Sequence, residues 1–249
     1  MEWKGIRNKT TELWQLTLGK TSQRVTHQTM KKTAIILGAS GVTGSYLLKK
    51  IIKDDAFNKI KLFSRSKIEG LPTYVEQYIG DLLKLEEFKT DFTADVVFCC
   101  IGTTASKTPN KTQYKAIDYG IPVAAAKLCK ANNIPAFMVI SAMGANKNSS
   151  VFYNKTKGEM EADVIKQNLY HTSIFRPSLI DGPRNEKRFL ENLGLIVLKV
   201  IQPLFIGALK KYKIIHAERI AQALLNASKN INNGINIIQS HNIKELANK

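Results

Sequence analysis

Cysteine is scarce in this sequence, with three among 249 residues. The number is odd and the spacing is not that of a disulfide framework. Cys99 and Cys100 stand side by side in an apolar run, which is typical of reduced, buried thiols. The four histidines show no metal-ligand spacing with one another or with the cysteines. We therefore expect neither a disulfide-stabilised domain nor a metal centre, and we expect a cytoplasmic protein.

Long apolar runs are missing as well. No stretch of 18 apolar residues occurs, so the sequence predicts no membrane span. The N-terminus also lacks the continuous apolar core of a signal peptide. With 44% hydrophobic residues, 15 Gly and 7 Pro, the composition is neither collagen-like nor that of a disordered chain.

Acidic residues are few, 20 Asp and Glu against 37 Lys and Arg, for a formal charge of +17. Such a charge raises the question of a nucleic-acid, anionic-membrane or phosphate-bearing partner. Only 7 of the cationic residues are Arg, whose planar guanidinium matches the geometry of a phosphate better than the ammonium of Lys does. The lysines are scattered along the chain. We therefore predict no dedicated nucleic-acid surface. The expected partner is a small-molecule substrate of unknown identity, and the chain is either a monomer or a homodimer.

Two parts of the chain differ in character. Residues 1–29 are polar and are predicted to be a poorly ordered extension, with a docking helix through Trp3 and Trp14 as the alternative. Residues 30–249 form a single domain in which short apolar strands alternate with helices. This pattern predicts βαβ units and a doubly wound parallel sheet of the α/β class. The predicted strands are 33–37, 60–64, 74–79, 95–101, 136–141, 171–175, 213–216 and 235–238.

A glycine-rich turn follows the first predicted strand. Gly38, Gly41 and Gly44 give the spacing G-x-x-G-x-x-G directly before a helix. Such glycines allow a tight turn, a close approach of the backbone to a pyrophosphate, and close packing of helix on strand. The helix N-terminus offers free N–H groups to the phosphates. The sequence thus predicts a Rossmann-type NAD(P)-binding domain, with Ser40, Val42 and Thr43 also in the turn.

The second strand bears on the choice of dinucleotide. An acidic residue at its end usually binds the ribose 2′-hydroxyl of NAD, whereas a nearby Arg suits the 2′-phosphate of NADP. Here the strand ends without an acid, at Arg65 and Ser66, followed by Lys67. We therefore predict that NADP(H) is preferred and that NAD(H) remains possible.

Three residues predict a catalytic constellation. Ser141 stands at the end of the fifth strand, and twelve residues later Tyr153 and Lys157 have the Y-x-x-x-K spacing that puts both on one helix face. An ammonium there should lower the pKa of the phenol, so that Tyr153 can exchange a proton with a carbonyl or alcohol. The hydroxyl of Ser141 would orient the substrate oxygen.

Several segments together resemble one protein family. They are ILGASGVTG (36–44), FSRS (63–66), GDL (80–82), FCCIGTT (98–104), ISAMGANKNSS (140–150), YNKTKGEME (153–161) and IFRPSLIDGPR (174–184). The chain resembles the short-chain dehydrogenase/reductase superfamily over about residues 31–240. Within it, the resemblance is to the atypical branch of Tat-interacting-protein-like NAD(P)-binding proteins, whose bacterial members are often labelled nucleoside-diphosphate-sugar epimerases.

The resemblance implies further roles. Asp81 and Leu82 would lie beside the adenine, and Lys157 would bind the nicotinamide ribose. Better-known members of the superfamily carry an Asn of their proton relay on the long central helix. This chain has Asp118 at the corresponding position and so departs from their pattern. Arg176 is implied in the nicotinamide loop, with a structural ion pair as the alternative. The remaining implied cofactor contacts are Gly102, Thr103 and Thr104 at the ribose and Pro177, Ser178 and Leu179 at the nicotinamide.

Three functions follow as hypotheses. The first is an NADP(H)-dependent oxidoreductase that acts on a small carbonyl or alcohol. The second is an NADPH-sensing regulatory protein with little or no turnover, since the branch includes regulatory members. The third is an NAD-dependent sugar-nucleotide epimerase, for which the chain offers only about 70 residues after Arg176. A small C-terminal substrate-side segment, about residues 178–215, would determine specificity, with an apolar wall of Phe189, Leu193, Leu204 and Phe205.

Overall fold

The computed structural model describes residues 31–181 and 213–249. Its centre is a seven-stranded sheet in the order β3-β2-β1-β4-β5-β6-β9, in which every neighbouring pair is parallel. The predicted doubly wound α/β fold is therefore confirmed. The strands are β1 (Lys32–Leu37), β2 (Phe57–Ser64), β3 (Val75–Ile79), β4 (Val96–Cys99), β5 (Ala136–Ile140), β6 (His171–Arg176) and β9 (Gly234–Gln239).

Helices cover both faces of the sheet, because parallel neighbours require right-handed crossovers. On one face α1 and α5 pack against a core that includes Ile36 and Phe98, and on the other α3 and α4 pack against Ile35 and Val97. Alternate residues of β1 and β4 thus enter opposite cores, as strand periodicity requires. The helices are α1 (Val42–Ile51), α2 (Lys111–Lys115), α3 (Ile121–Ala131), α4 (Phe152–Ile165), α5 (Ala217–Lys229) and α6 (Ser240–Leu246), with a 3₁₀ helix at Leu82–Phe88.

The long central helix is not uniform. Its pattern predicted one helix over about residues 113–132, whereas the structure has α2, then a π-helical segment Ala116–Gly120, then α3. π-Helical turns are rare and are frequent at functional sites. The π-helical segment, which contains Asp118, is therefore a candidate part of a functional site.

The C-terminal part differs from the predicted strands in one respect. The predicted strand 213–216 is reduced to β8 (Ile215–His216), which pairs in parallel with β7 (Ile180–Asp181) in a separate two-stranded sheet. The extension 1–29 and the apolar wall Phe189, Leu193, Leu204 and Phe205 lie outside the described residues, so these predictions remain predictions.

Candidate active site

The predicted site residues gather at one edge of the sheet. Because the strands are parallel, their carboxyl ends share this edge, where open α/β sheets bind ligands. The order of strands reverses between β1 and β4, which makes the crevice above these two strands the topological switch point. The predicted segments that follow strands at this edge are Gly38–Gly44 after β1, Arg65–Ser66 after β2, Gly102–Thr104 after β4, Ser141 after β5 and Pro177–Leu179 after β6.

The glycine turn fits a pyrophosphate. Gly38 has a φ of +82°, and a Cβ placed there would lie 3.0 Å from the backbone carbonyl of Cys100. A Cβ on Gly44 would lie only 2.0 Å from the oxygen of Gly38, so helix α1 starts in direct contact with the turn. Gly41 occupies the N-cap position of α1 and has no side chain that could bond to the first N–H groups, and the first turn of the helix carries no acidic residue. Its free N–H groups therefore face the crevice without a competing negative charge.

The end of β2 offers cationic and hydroxyl groups. Arg65 and Ser66 are both exposed, and the turn is held by the Ser64 hydroxyl, which donates to the Ser66 carbonyl at 2.8 Å. Lys67 lies 3.5 Å from Glu69, so it already has a carboxylate partner. Arg65 is thus the better placed of the two cations for a phosphate.

Asp81 and Leu82 take local roles at the end of β3. The carboxylate of Asp81 accepts a hydrogen bond from the N–H of Leu83 at 3.0 Å and so caps the 3₁₀ helix. Leu82 is buried in the core. The exposed side of Asp81 stays compatible with the adenine contact that the resemblance implies.

The loop after β4 is held by its own hydroxyl groups. Thr103 Oγ1 lies 2.9 Å from Thr108 Oγ1, and Thr104 Oγ1 lies 3.0 Å from Ser106 Oγ. The N–H of Thr103 donates to the carboxylate of Asp118 at 2.7 Å. The loop is therefore anchored to the π-helical segment as well as to itself.

Ser141 is buried at the end of β5, with 3% of its surface exposed. Its N–H donates to the carbonyl of Phe175 at 2.7 Å, which fixes the backbone. In the described part of the chain its Oγ is the buried side-chain oxygen without a hydrogen-bond partner. An unpaired buried hydroxyl is costly, so it favours a site that a ligand atom completes.

Helix α4 brings Tyr153 and Lys157 against the loop that follows Ser141. The N–H of Asn146 donates to the carbonyl of Asn154 at 3.0 Å. A Cβ on Gly158 would lie 2.2 Å from the backbone of Asn146, so helix and loop are in close contact. The helix of Tyr153 and Lys157 thus packs against the loop that follows Ser141, and the shared site of the three residues remains a prediction.

The electrostatics of this site differ from the prediction. The side chain of Lys157 is 4% exposed, and its Nζ atom lies 2.8 Å from Oδ1 of Asp118. Burial lowers the pKa of Lys157, but Asp118 and Tyr153 outweigh it, so its pKa lies above the ordinary value. For Tyr153, desolvation raises the pKa, the ammonium of Lys157 lowers it as predicted, and Asp118 raises it again. The net direction of the pKa shift is upward, which the sequence did not predict.

The loop after β6 is partly committed to the fold. The hydroxyl of Ser178 donates to the carbonyl of Lys213 and accepts from the hydroxyl of Ser240. Its side chain is therefore occupied within the protein, whereas Pro177 is buried and Leu179 is exposed, and the nicotinamide contact of this loop remains a prediction. Arg176 forms the structural ion pair that the sequence left as its alternative, and its partner is Glu161.

Two sets of contacts escaped the sequence. Asp118, which the sequence marked only as a departure from the family's pattern, contacts both Lys157 and the loop after β4. Tyr114 packs edge-on to Tyr153, with 6.5 Å between ring centroids. Over residues 31–181 and 213–249, no helix is long and apolar enough to cross a membrane, and no group of His, Cys, Asp or Glu could hold a metal ion.

Comparison with known proteins defines the class. The family model described as NAD(P)H-binding matches residues 38–197, well over half of the chain. The chain therefore belongs to this family of NAD(P)-binding proteins. Among solved structures, UDP-N-acetylglucosamine 4-epimerase from Methanobrevibacter ruminantium M1 has a TM-score of 0.62 and 18% identity over 84% of this chain and 76% of that one. At this identity the likeness shows the fold.

The branch follows from closer relatives. Protein HTATIP2 of Rattus norvegicus is 38% identical over 63% of this chain and 66% of its own length. Protein FMP52-1, mitochondrial, of Scheffersomyces stipitis is 33% identical over 79% of this chain and 88% of its own. The chain is thus an atypical short-chain dehydrogenase/reductase of the Tat-interacting-protein-like branch, as the motifs predicted.

One prediction is overturned by the same relatives. The sequence led us to expect a cytoplasmic protein, because its cysteines look reduced and no targeting signal was recognised. FMP52-1 and the FMP52 proteins of Candida albicans and Candida glabrata carry the word mitochondrial in their names. The expectation of a cytoplasmic location is therefore wrong.

Proposed function

We propose that the chain is an NADP(H)-dependent oxidoreductase that interconverts a small carbonyl compound and its alcohol. The observation that carries the proposal is the buried, unpartnered hydroxyl of Ser141 at the end of β5, next to the loop against which the helix of Tyr153 and Lys157 packs. A substrate oxygen would complete the hydrogen bonding of Ser141. The glycine turn and the uncapped N-terminus of α1 fit the pyrophosphate of the cofactor.

Each residue has a proposed part in the reaction. When bound, the cofactor supplies a hydride for the carbonyl carbon. Ser141 donates a hydrogen bond that orients the carbonyl oxygen, and Tyr153 donates its phenolic proton to that oxygen and regains one from water. Lys157 keeps a positive charge beside the phenol and offers donors to the nicotinamide ribose. Arg65, with Ser66, would bind the 2′-phosphate, which supports NADP(H) over NAD(H).

The test is NADPH oxidation, followed by absorbance, with a panel of small aldehydes and ketones. We expect turnover with at least one carbonyl compound, and a loss of about 10²- to 10⁴-fold in kcat for Tyr153→Phe, because the proton donor is gone. Tyr74→Phe is the matched control, since Tyr74 lies on the surface near β3 and its hydroxyl contacts the Ile52 carbonyl. Equal rates for Tyr153→Phe and the wild type would overturn the proposal.

An NADPH-sensing regulatory protein is the second candidate. The observation that favours it is the 2.8 Å ion pair of Asp118 with Lys157, because the carboxylate opposes the lowering of the Tyr153 pKa by the ammonium. A sensor would bind NADPH tightly, turn over none of the panel, and co-purify with a protein partner only when NADPH is present. Turnover that depends on Tyr153 would exclude it.

A further inference from the structure

Asp118 connects two parts of the site that the sequence treats separately. It is 1% exposed, and its two carboxylate oxygens have different partners. Oδ1 lies 2.8 Å from the ammonium of Lys157, and Oδ2 accepts from the N–H of Thr103 at 2.7 Å. One side chain therefore contacts both the lysine beside Tyr153 and the loop after β4.

The backbone at this position is built for that contact. Asp118 lies in the π-helical segment Ala116–Gly120, and such wide turns interrupt the regular hydrogen bonding of a helix. A buried ion pair seldom repays the desolvation of both charges, so it is weak as a source of stability. An irregular turn that places a carboxylate in a buried pair points to a role other than holding the fold together.

We propose that Asp118 is a positioning residue that ties the Lys157–Tyr153 pair to the cofactor loop after β4. The inference rests on the proposed roles of Tyr153 and Lys157. A movement of Thr103 would change the hold of Asp118 on Lys157, and with it the positive charge available to the phenol. This would be a direct link between occupation of the cofactor crevice and the proton donor.

The charges around Lys157 and Tyr153 determine in which direction a substitution of Asp118 shifts their titration. Among residues 31–181 and 213–249, the titratable groups besides Asp118 that act on Lys157 and Tyr153 are Cys99 on β4 and Tyr114 on α2. Burial raises the pKa of Cys99 to about 12 and raises that of Tyr114 as well, so both stay neutral near pH 7. Within the part of the chain that the structure describes, Asp118 is therefore the negative charge that acts on the pair.

Removal of that charge makes the pair lose a proton more easily. Lys157 and Tyr153 titrate as a coupled pair, so the first proton leaves at one apparent pKa whichever group gives it up. In Asp118→Asn this first deprotonation should move to lower pH by about one to three units, the range for a charge at such distances. Asparagine keeps the acceptor for Thr103, so the loop retains its hydrogen bond.

The experiment is NMR titration of protein labelled with ¹³C-tyrosine and ¹⁵N-lysine, with Tyr153→Phe and Lys157→Arg used to assign the two signals. We expect the lower apparent pKa in Asp118→Asn and the wild-type value in Glu159→Gln. Glu159 is the matched control because it also lies on α4 and pairs with Lys115 of the neighbouring α2 at 2.7 Å, but at the surface. An unchanged titration, or equal shifts in both variants, would overturn the proposal.

Two further measurements keep the test independent. If Asp118→Asn fails to fold, the wild type alone decides: Lys157 must titrate above the ordinary lysine value, and adding NADPH must shift its signal. A Lys157 that titrates at or below that value contradicts the proposal. None of these readouts requires turnover, so a chain without oxidoreductase activity would still report on Asp118, and the two proposals fail separately.

Discussion

Glu161 and Arg176 join helix α4 to the end of β6 through two contacts between carboxylate and guanidinium. Nε of Arg176 donates to Oε1 of Glu161 at 2.9 Å, and Nη2 contacts Oε2. The Glu161 side chain is buried and that of Arg176 is mostly so. Tyr153, Lys157 and Glu161 follow at intervals of four residues, so one face of α4 is fixed at two points, by Asp118 and by Arg176.

The first prediction concerns this pair. Glu161→Gln should lower the free energy of unfolding by about 3 kcal/mol, because it leaves the guanidinium of Arg176 without its counter-charge. Urea denaturation monitored by circular dichroism measures the change. The control is Glu87→Gln, which removes a 3.9 Å surface pair with Lys84 and should cost less than about 1 kcal/mol. Similar losses in both variants would contradict the role of the buried pair.

The second prediction concerns the choice of cofactor. Arg65→Ala should weaken NADPH binding by about ten- to a hundredfold, because a charged hydrogen bond to the 2′-phosphate is worth about 1.5–3 kcal/mol. NADH, which lacks that phosphate, should bind as before. Isothermal titration calorimetry measures both affinities. Lys59→Ala on β2 is the control, since Lys59 pairs with Glu76 at 2.8 Å. Equal weakening of both cofactors would exclude a 2′-phosphate contact.

The third prediction concerns the glycine turn. Gly44→Ala should destabilise the fold by about 3 kcal/mol, the upper range for overpacking, because its Cβ would lie 2.0 Å from the Gly38 oxygen. It should also abolish NAD(P)H binding. Gly70→Ala is the control: its φ is +75° but no atom lies within 4 Å, so about 1 kcal/mol of backbone strain is expected. Thermal unfolding measures the stability of both variants, and cofactor titration measures their NADPH binding. Intact NADPH binding by Gly44→Ala would contradict the role of the glycine turn in binding the cofactor.

The fourth prediction concerns the thiols. Burial raises the pKa of Cys99 to about 12 and raises those of Cys100 and Cys129 too. Thiolate is the reactive form, and its fraction grows only as pH approaches the pKa. At pH 8 iodoacetamide should therefore modify the native chain at least about tenfold more slowly than the denatured chain. Mass spectrometry counts the labels. Rapid labelling of native Cys99 would contradict its burial.

Local patterns were sufficient for much of the fold. The apolar runs of β1, β4 and β5 and the spacing of Gly38, Gly41 and Gly44 depend on neighbours in sequence, so the strands and the turn were predictable. The same holds for Tyr153 and Lys157, which share a helix face because of the helical period. Short-range periodicity was thus sufficient to predict the sheet and the segments at the carboxyl ends of its strands.

Contacts between distant residues were not predictable in the same way. Ser178 bonds to the carbonyl of Lys213, 35 residues away, and Lys157 pairs with Asp118 across two helices. The raised pKa of Tyr153 depends on burial and on Asp118, whereas the sequence pattern shows only the nearby lysine. No periodicity marks the π-helical turn either, since its residues continue a helical pattern.

The pairing of β7 with β8 brings two distant parts of the chain side by side. Ile180 and Asp181 pair with Ile215 and His216, so the two ends of the intervening segment are held together. The entropy of closing a loop grows only slowly with its length. A change in the length of the segment between these two points should therefore cost the seven-stranded sheet little stability.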